Sequence, residues 1–163
     1  ETVRVRVHSA FDPEAEGTIS RIELWSANFQ MFRENPWFGI GMNANEFLVP
    51  EFHEKMGHKN GFWGHAHNNW LQFLGGTGIL GFSLFVMIFG YFFFMGWRTW
   101  GRIPVDHLWD RSILLGSLGG QMALQFGGLT ECNFKAMTVN HHSMFMLALT
   151  AALYQKYIVK AGS

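Results

Sequence analysis

The stretch of sequence that decides the fold is HAHNNWLQFLGGTGILG, residues 65–81. It places two histidines and two asparagines directly before a long apolar segment that carries no charge. Imidazole is the side chain best suited to transfer protons near neutral pH. A histidine cluster at the start of an apolar helix therefore indicates chemistry at a membrane edge, where a lipid-borne substrate meets water.

The 163-residue chain is rich in aromatic residues and poor in charged ones. Aromatic residues make up 17% of the chain, and charged residues only 15% against a usual share of about 25%. The net charge is zero with neutral histidines, which gives no indication of nucleic-acid binding. The single Cys132 excludes an internal disulfide. Because the chain begins at Glu1 without a secretory signal, it is expected to be a fragment or a processed piece.

Three apolar stretches predict about three transmembrane helices. Residues 78–97 hold no charge over 20 residues, the length needed to cross roughly 30 Å of hydrocarbon. A second uncharged run covers residues 112–130 but is rich in Gly and Gln, so a buried helix of a soluble protein is the alternative there. The third stretch, residues 143–159, is interrupted by Lys156 near its end.

Basic residues in the short connections predict the orientation of these spans. The connection between the first two spans and the end of the third hold five of them: Arg98, Arg102, Arg111, Lys156 and Lys160. The positive-inside rule places both segments in the cytoplasm, so residues 1–77 and the connection 131–142 lie outside. The predicted fold is thus an all-α membrane protein, with a periplasmic helical loop region over residues 1–77 and a transmembrane region over residues 78–163.

Two spacings in the second span predict helix packing. Gly116 and Gly120 form a G-x-x-x-G pattern that lets a neighbouring helix approach closely. Gln121 and Gln125, four residues apart, share one helix face and are expected to point into the bundle.

The outer region is predicted to contain a short strand and two short helices. Ser20 and Glu23 have the spacing of a capping box, which predicts a helix from there to about Glu34. Its apolar stripe is predicted to be Ile22, Trp25, Phe29 and Phe32. Alternating valines over residues 3–7 predict a short strand.

After the first helix, residues 36–41 read as a tight turn with two glycines. A second short helix from Asn43 is expected to be limited by Pro50, and residues 53–64 to form a loop.

His67 is the main candidate for proton transfer. If a helix begins at Asn68 or Asn69, its positive end keeps the His67 ring neutral and able to accept a proton. The alternative is an interfacial histidine that only caps the helix. A metal site is also conceivable, because His53, His58, His65 and His67 fall within fifteen residues. Their spacing matches no zinc pattern, so neither a metal nor a cofactor is predicted.

Arginines of the outer region are candidates for binding an anion. Arg21 lies in the first turn of the predicted first helix, and Arg4, Arg6 and Arg33 lie on the same side of the membrane. Arginine is the residue best suited to bidentate phosphate recognition. The alternative is a solvated helix face without a ligand.

Five motifs in this order resemble those of the O-antigen ligase and O-antigen polymerase superfamily. They are RIELWSAN (residues 21–28), NPWFGIG (residues 35–41), HAHNNWLQ (residues 65–72), GGTGILG (residues 75–81) and GLTECNF (residues 128–134). Members of this family are polytopic glycosyltransferases of the bacterial inner membrane. The resemblance implies that this chain is their C-terminal part, a large periplasmic loop with the last helices of a larger bundle.

The resemblance also implies a reaction. The donor would be a glycan on undecaprenyl pyrophosphate, the acceptor lipid A-core or another glycan, and the reaction would need no metal. His67 is then the base that deprotonates the acceptor hydroxyl, and Arg21 the contact to the diphosphate. His65, Asn68 and Arg33 are expected to bind substrate.

Several alternatives remain open on the sequence. Within the superfamily, a polymerase would use a second lipid-linked repeat unit as acceptor, and a protein O-oligosaccharyltransferase would use Ser or Thr. Outside it, related polytopic proteins have been labelled bicarbonate transporters, and a structural membrane subunit is a further possibility. The absence of charge from the first two spans argues against a translocation path.

Overall fold

The computed structural model describes residues 16–57 and 64–160, and all regular structure in these residues is helical. The helices are α1 (Glu16–Glu34), α2 (Ala44–Lys55), α3 (Asn69–Trp100), α4 (Leu108–Gly127) and α5 (Met137–Tyr154). A 3-10 turn at Asn133–Lys135 precedes α5, and a π-helical turn at Gln155–Val159 follows it. The prediction of an all-α protein is thus confirmed for the described residues, and the predicted strand over residues 3–7 lies outside them.

The chain forms two compact units. The first unit comprises Glu1–Phe82 together with the short segment Thr130–Cys132, and the second comprises Ser83–Leu129 and Asn133–Ser163. Helix α3 runs through both and contains a break at Gly78, the residue at which the sequence predicted the transmembrane region to begin. Residues 130–132 are distant in sequence from the rest of the first unit, and they bring Glu131 into it.

Helix α1 packs on α2 through a face that the sequence did not single out. Leu24, Ala27 and Met31 of α1 are buried against Val49 and Phe52 of α2. The predicted apolar stripe was wrong, because two of its members, Ile22 and Phe29, are about half exposed. Adjacent faces of a helix have the same 3.6-residue period, so the period by itself cannot choose between them.

Two predicted helix boundaries also differ from the structure. Helix α1 begins at Glu16, so Ser20 lies within it rather than capping it, and Arg21 is in the second turn. Pro50 does not end α2, which continues to Lys55 and thereby includes His53. Residues 53–55, predicted as the start of a loop, are therefore helical, while residues 58–63 lie outside the described residues.

The break in α3 is held by the turn over residues 36–41. At Gly78 the backbone has φ 64° and ψ −169°, so the helix cannot form its usual hydrogen bonds around this residue. The N–H of Ile79 donates to the carbonyl of Pro36 at 2.8 Å, and the N–H of Gly41 donates to the carbonyl of Gly76 at 2.9 Å. The motifs NPWFGIG and GGTGILG are therefore joined by backbone hydrogen bonds. These bonds satisfy N–H and C=O groups that a broken helix leaves without a partner.

This pairing leaves no room for side chains. A Cβ atom on Gly78 would lie within 2.6 Å of backbone atoms of Trp37, Phe38 and Gly39. Such a backbone conformation is also essentially restricted to glycine. We therefore expect Gly78→Ala to lower the free energy of unfolding by about 2–5 kcal/mol. Thermal unfolding of the full-length protein in detergent measures this.

Gly90→Ala is the matched control for that substitution. Gly90 lies in the same helix, and a Cβ atom there would meet nothing within 4 Å. Alanine favours a helix over glycine by roughly 1 kcal/mol, so this variant should be at least as stable as wild type. Equal unfolding temperatures for Gly78→Ala and Gly90→Ala would contradict the role of the break.

Helix α3 is the one described helix that is long and apolar enough to cross a membrane. Only 28% of its most apolar stretch is buried, whereas the core helix of a soluble protein is mostly buried. Exposed apolar side chains lie along its length, among them Leu84, Met87, Ile88, Tyr91 and Trp97. The first predicted span is therefore supported. Helices α4 and α5 overlap the predicted second and third spans, but neither is long and apolar enough by the measure that α3 meets.

In the second unit, α4 packs on α5. Gly120 faces Met146 so closely that a Cβ atom would lie 2.6 Å from its Sδ, whereas Gly116 faces open space. The G-x-x-x-G prediction was thus correct for Gly120 only. Gln121 and Gln125 are both buried, as predicted, and Gln121 accepts a hydrogen bond from the Ser143 hydroxyl at 3.0 Å.

A polar cluster joins the start of α4 to the end of the chain. Lys156 Nζ lies 2.6 Å from Asp110 Oδ2, and the Tyr157 hydroxyl donates to the same oxygen. The hydrogen bond from Lys156 is the main reason why the pKa of Asp110 lies below its usual value. The two basic segments that the sequence assigned to one side of the membrane thus contact each other.

Candidate functional site

Asn68 determines where α3 begins, and with it the position of residues 65–68, the histidine loop. Its side-chain Oδ1 accepts a hydrogen bond from the N–H of Leu71 at 3.1 Å, which is the geometry of an N-cap. Helix α3 starts at the next residue, Asn69, so the predicted start at Asn68 or Asn69 is confirmed. His67 consequently lies directly before a helix N-terminus.

A buried amide network holds this loop against α1 and α2. The side chain of Gln72 donates to Asn45 Oδ1 at 2.9 Å, and Asn45 donates to Asn28 Oδ1 at 2.8 Å. On its other side, Gln72 Oε1 accepts the backbone N–H of Ala66 at 2.9 Å. The carboxamides are almost completely buried, and such satisfied networks fix a single arrangement. One residue from each helix of the first unit therefore positions the loop.

The backbone of His67 has a conformation that side chains rarely adopt. Its φ is 45°, in the left-handed region. Non-glycine residues in this region cost of order 1 kcal/mol and occur preferentially at functional sites. This left-handed residue directly follows the completely buried Ala66, and its own side chain is partly exposed.

The two histidines of the motif contact each other. Their ring centroids are 4.1 Å apart, and the backbone N–H of His67 donates to His65 Nδ1 at 3.2 Å. This hydrogen bond requires an unprotonated Nδ1 in His65. The His65 ring therefore packs on His67 in a fixed orientation and is the less suited of the two to accept a proton from a substrate.

Glu131 joins the two residues that the sequence predicted to be catalytic. Its Oε2 lies 3.2 Å from His67 Nδ1, and its Oε1 lies 3.8 Å from the Arg21 guanidinium. The three side chains are between 36% and 54% exposed, so a substrate can reach them. Arg21 and His67, 46 positions apart in the sequence, are thus brought together at one carboxylate.

Cys132, beside Glu131, is a neutral neighbour of this carboxylate. Burial raises the pKa of its thiol to about 11, so the thiol stays protonated at neutral pH. Its Sγ lies 3.8 Å from Gln72 Oε1. Cys132 therefore anchors the segment 130–132 to the buried network without adding charge to the site.

The other predicted substrate-binding residues have different surroundings. His65 and Asn68 adjoin His67 in the chain, and both have the structural contacts described above. Arg33 is exposed in the last turn of α1, twelve residues from Arg21, which is about 18 Å along a helix. Among the described residues, no group of three or more His, Cys, Asp or Glu side chains is placed to hold a metal ion.

The sequence left open whether Glu131, at the outer side of the predicted second and third spans, lines the same cavity as the other candidates or only faces water. It gave Glu131 no specific role within the motif GLTECNF, and it did not identify Asn45 as a network member. Asn45 follows the left-handed Asn43 at the start of α2, and nothing in the sequence around it indicates its partner.

Comparison with known protein families supports the resemblance over the part of the chain that holds four of its five motifs. The family described as O-antigen ligase matches residues 3–86, just over half of the chain. That range includes α1, α2, the histidine loop and the break in α3. No curated protein and no solved structure matches the chain. The chain belongs to the O-antigen ligase family.

Proposed function

We propose that this chain transfers a glycan from an undecaprenyl-pyrophosphate donor to an acceptor hydroxyl at the periplasmic face of the bacterial inner membrane. The family consists of integral membrane ligases of the glycosyltransferase kind that act on glycan and lipid-linked substrates. The finer proposal rests on one observation: Arg21 and His67 both contact the exposed carboxylate of Glu131.

His67 is the proposed general base. A carboxylate can only accept hydrogen bonds, so His67 Nδ1 carries the hydrogen in its contact with Glu131. In a neutral ring the lone pair is then on Nε2, which takes the proton from the acceptor hydroxyl. The hydroxyl oxygen forms a bond to the anomeric carbon of the donor as the bond from that carbon to the pyrophosphate oxygen breaks. The resulting imidazolium lies beside the Glu131 carboxylate and later loses its proton to water.

Arg21 is the proposed contact to the diphosphate. The leaving group departs with the electron pair of the broken bond, so negative charge grows on its oxygens. The Arg21 guanidinium is exposed and held only by a 3.8 Å ion pair, which costs little to exchange for a phosphate. The expected substrate-binding roles of His65, Asn68 and Arg33 belong to the same proposal, as does independence from metals and cofactors.

Contacts within each unit support the proposed topology. Glu131, in a connection predicted to be periplasmic, contacts Arg21 and His67 of the predicted periplasmic region. Asp110 and Lys156, in segments predicted to be cytoplasmic, contact each other. We therefore propose a multi-pass protein with residues 1–77 outside, residues 78–163 as the transmembrane region, and spans near residues 78–97, 112–130 and 143–159. In this proposal the chain works as the C-terminal part of a larger bundle.

The function is tested by deleting the gene for the full-length protein in its host and restoring it on a plasmid. Gels of surface glycolipids and extracts of lipid-linked glycans are compared between the two strains. A ligase predicts loss of the long glycan ladder on deletion, with long undecaprenyl-linked glycan accumulating. Surface core bearing a single repeat would instead indicate a polymerase, and loss of glycan from proteins alone a protein O-oligosaccharyltransferase. Unchanged glycans in the deletion strain would contradict the proposal and favour transport or a structural role.

A further inference from the structure

We propose that Glu131 is a positioning residue that holds His67 in the state able to accept a proton; this inference rests on the proposed function. Glu131 reaches the first unit through the three-residue segment Thr130–Cys132, which follows α4 in the chain. It lies outside the range that the family match covers. Both of its carboxylate oxygens face site residues, Oε2 toward His67 and Oε1 toward Arg21.

The first effect of Glu131 is on the tautomer of His67. A neutral imidazole carries its hydrogen on either nitrogen, and only the nitrogen without hydrogen can accept a proton. The carboxylate 3.2 Å from Nδ1 selects the form with the hydrogen on Nδ1. The lone pair is thereby directed to Nε2, on the opposite side of the ring from Glu131.

The second effect is on the orientation of the ring. The backbone of the loop is fixed by the Gln72 hydrogen bond to Ala66 and by the Asn68 cap, but these contacts leave the His67 side chain free to rotate. Two contacts restrict that rotation. The ring of His65 packs at 4.1 Å between centroids, and Glu131 holds the Nδ1 edge. Without Glu131, only packing against another ring would orient the base.

The third effect is on the charge that forms during the reaction. Proton transfer makes His67 an imidazolium, and the positive charge formed in the reaction then lies beside the Glu131 carboxylate, 3.2 Å from Nδ1. The titratable groups around the contact between His67 and Glu131 are Arg21 of α1, which pairs with Glu131, His65, which packs on the His67 ring, and Cys132, which follows Glu131 in the chain. Among these, Glu131 supplies the negative charge, because the Cys132 thiol is protonated.

Anchoring of the fold is a weaker explanation for these contacts. Glu131 is 54% exposed, and ion pairs between exposed side chains contribute little to stability because solvent screens them. The segment 130–132 is held by the half-buried Cys132 as well as by Glu131. Removal of the Glu131 carboxylate should therefore change turnover more than it changes folding.

The test uses the purified full-length protein with Glu131→Gln, Glu131→Ala and the matched control Glu34→Gln. Glu34 is a second exposed carboxylate of the first unit, bonded to Gln30 and paired with Lys55. Initial rates of glycan transfer from an undecaprenyl-pyrophosphate-linked glycan give kcat and the donor KM. We expect kcat to fall about 100-fold in Glu131→Ala and about 10-fold in Glu131→Gln, whose carbonyl can still accept from Nδ1. The donor KM and the unfolding temperature should stay near wild type.

A double variant separates action through His67 from a merely structural effect. If Glu131 works through His67, the residual rate of His67→Gln with Glu131→Gln equals that of His67→Gln alone, because the base is already absent. Further loss in the double variant would overturn the inference. A raised donor KM with unchanged kcat would also overturn it, since Glu131 would then act through Arg21.

The failure of this inference is distinguishable from failure of the proposed function. Normal turnover of the His67→Gln protein would show that His67 is not the base, and the proposed mechanism would then fail. An inactive His67→Gln protein together with fully active Glu131 variants would contradict the positioning role of Glu131 and leave the proposed base in place. If Glu131→Ala does not fold, Glu131→Gln and the double variant still decide the question, because the amide keeps the size and one acceptor of the carboxylate.

Discussion

Replacing His67 with Gln or Asn in the full-length protein is expected to lower the turnover of glycan transfer about 10²- to 10⁴-fold, the usual contribution of a general base. Neither amide can take a proton from the acceptor hydroxyl. The measurement is the initial rate of transfer from an undecaprenyl-pyrophosphate-linked glycan, at saturating donor and with a metal chelator present. The chelator should leave wild-type turnover unchanged if the reaction is independent of metals.

Two features of the structure make this comparison sharp. His67 has a left-handed backbone, which Asn tolerates better than most residues, so His67→Asn separates the loss of the base from backbone strain. His142→Gln is the matched control, since that imidazole is exposed and contacts the carbonyl of Thr138 in its own helix. Turnover of both His67 variants within about threefold of wild type would be far from the general-base range and would show that His67 is not the base.

Replacing Arg21 with Gln is expected to lower kcat/KM for the lipid-linked donor about 10- to 100-fold, because a hydrogen bond to a charged group contributes roughly 1.5–3 kcal/mol. Arg21→Lys should lose less, since it keeps the charge but not the planar pair of donors. The donor concentration dependence of the initial rate measures the effect. Competition by inorganic pyrophosphate provides a second readout, and it should weaken in Arg21→Gln.

Lys55→Gln is the charge-matched control for Arg21. Lys55 lies on α2 and pairs with Glu51 at 3.0 Å, and this contact raises the pKa of its ammonium group. Its replacement removes one positive charge from the first unit but no group of the site. If Lys55→Gln and Arg21→Gln reduced donor use equally, the effect would come from net charge rather than from a diphosphate contact.

Local signals predicted the helices well where a single residue determines a boundary. Helix α3 starts at Asn69, one of the two positions on which the His67 argument depended, and the Asn68 cap sets this start because a cap acts on backbone groups only three residues away. The predicted start of α1 was wrong, since the helix begins four residues before the capping-box serine. The packed face of α1 was also missed. Asn28 points inward to bond with Asn45, and that partner cannot be identified from the period of apolar residues.

The glycine motifs show the same limit. Residues 36–41 were correctly predicted as a turn, and residues 75–81 as part of a long apolar helix. The first motif forms backbone hydrogen bonds around the break in the second. These bonds join residues about 40 positions apart in the sequence. Glycine content indicates where a chain can bend, but which carbonyl each N–H reaches is a property of the packed structure.

The sequence by itself determined the helical class, the apolar helix α3, and the residue types needed for proton transfer and anion binding, because these depend on composition and on neighbours within a few positions. Only the tertiary structure decided that Arg21, Glu131 and His67 share one site. Glu131 lies 64 positions from His67 and follows α4 in the chain. Contacts over such separations depend on how helices pack, and no local pattern encodes the partner of a carboxylate.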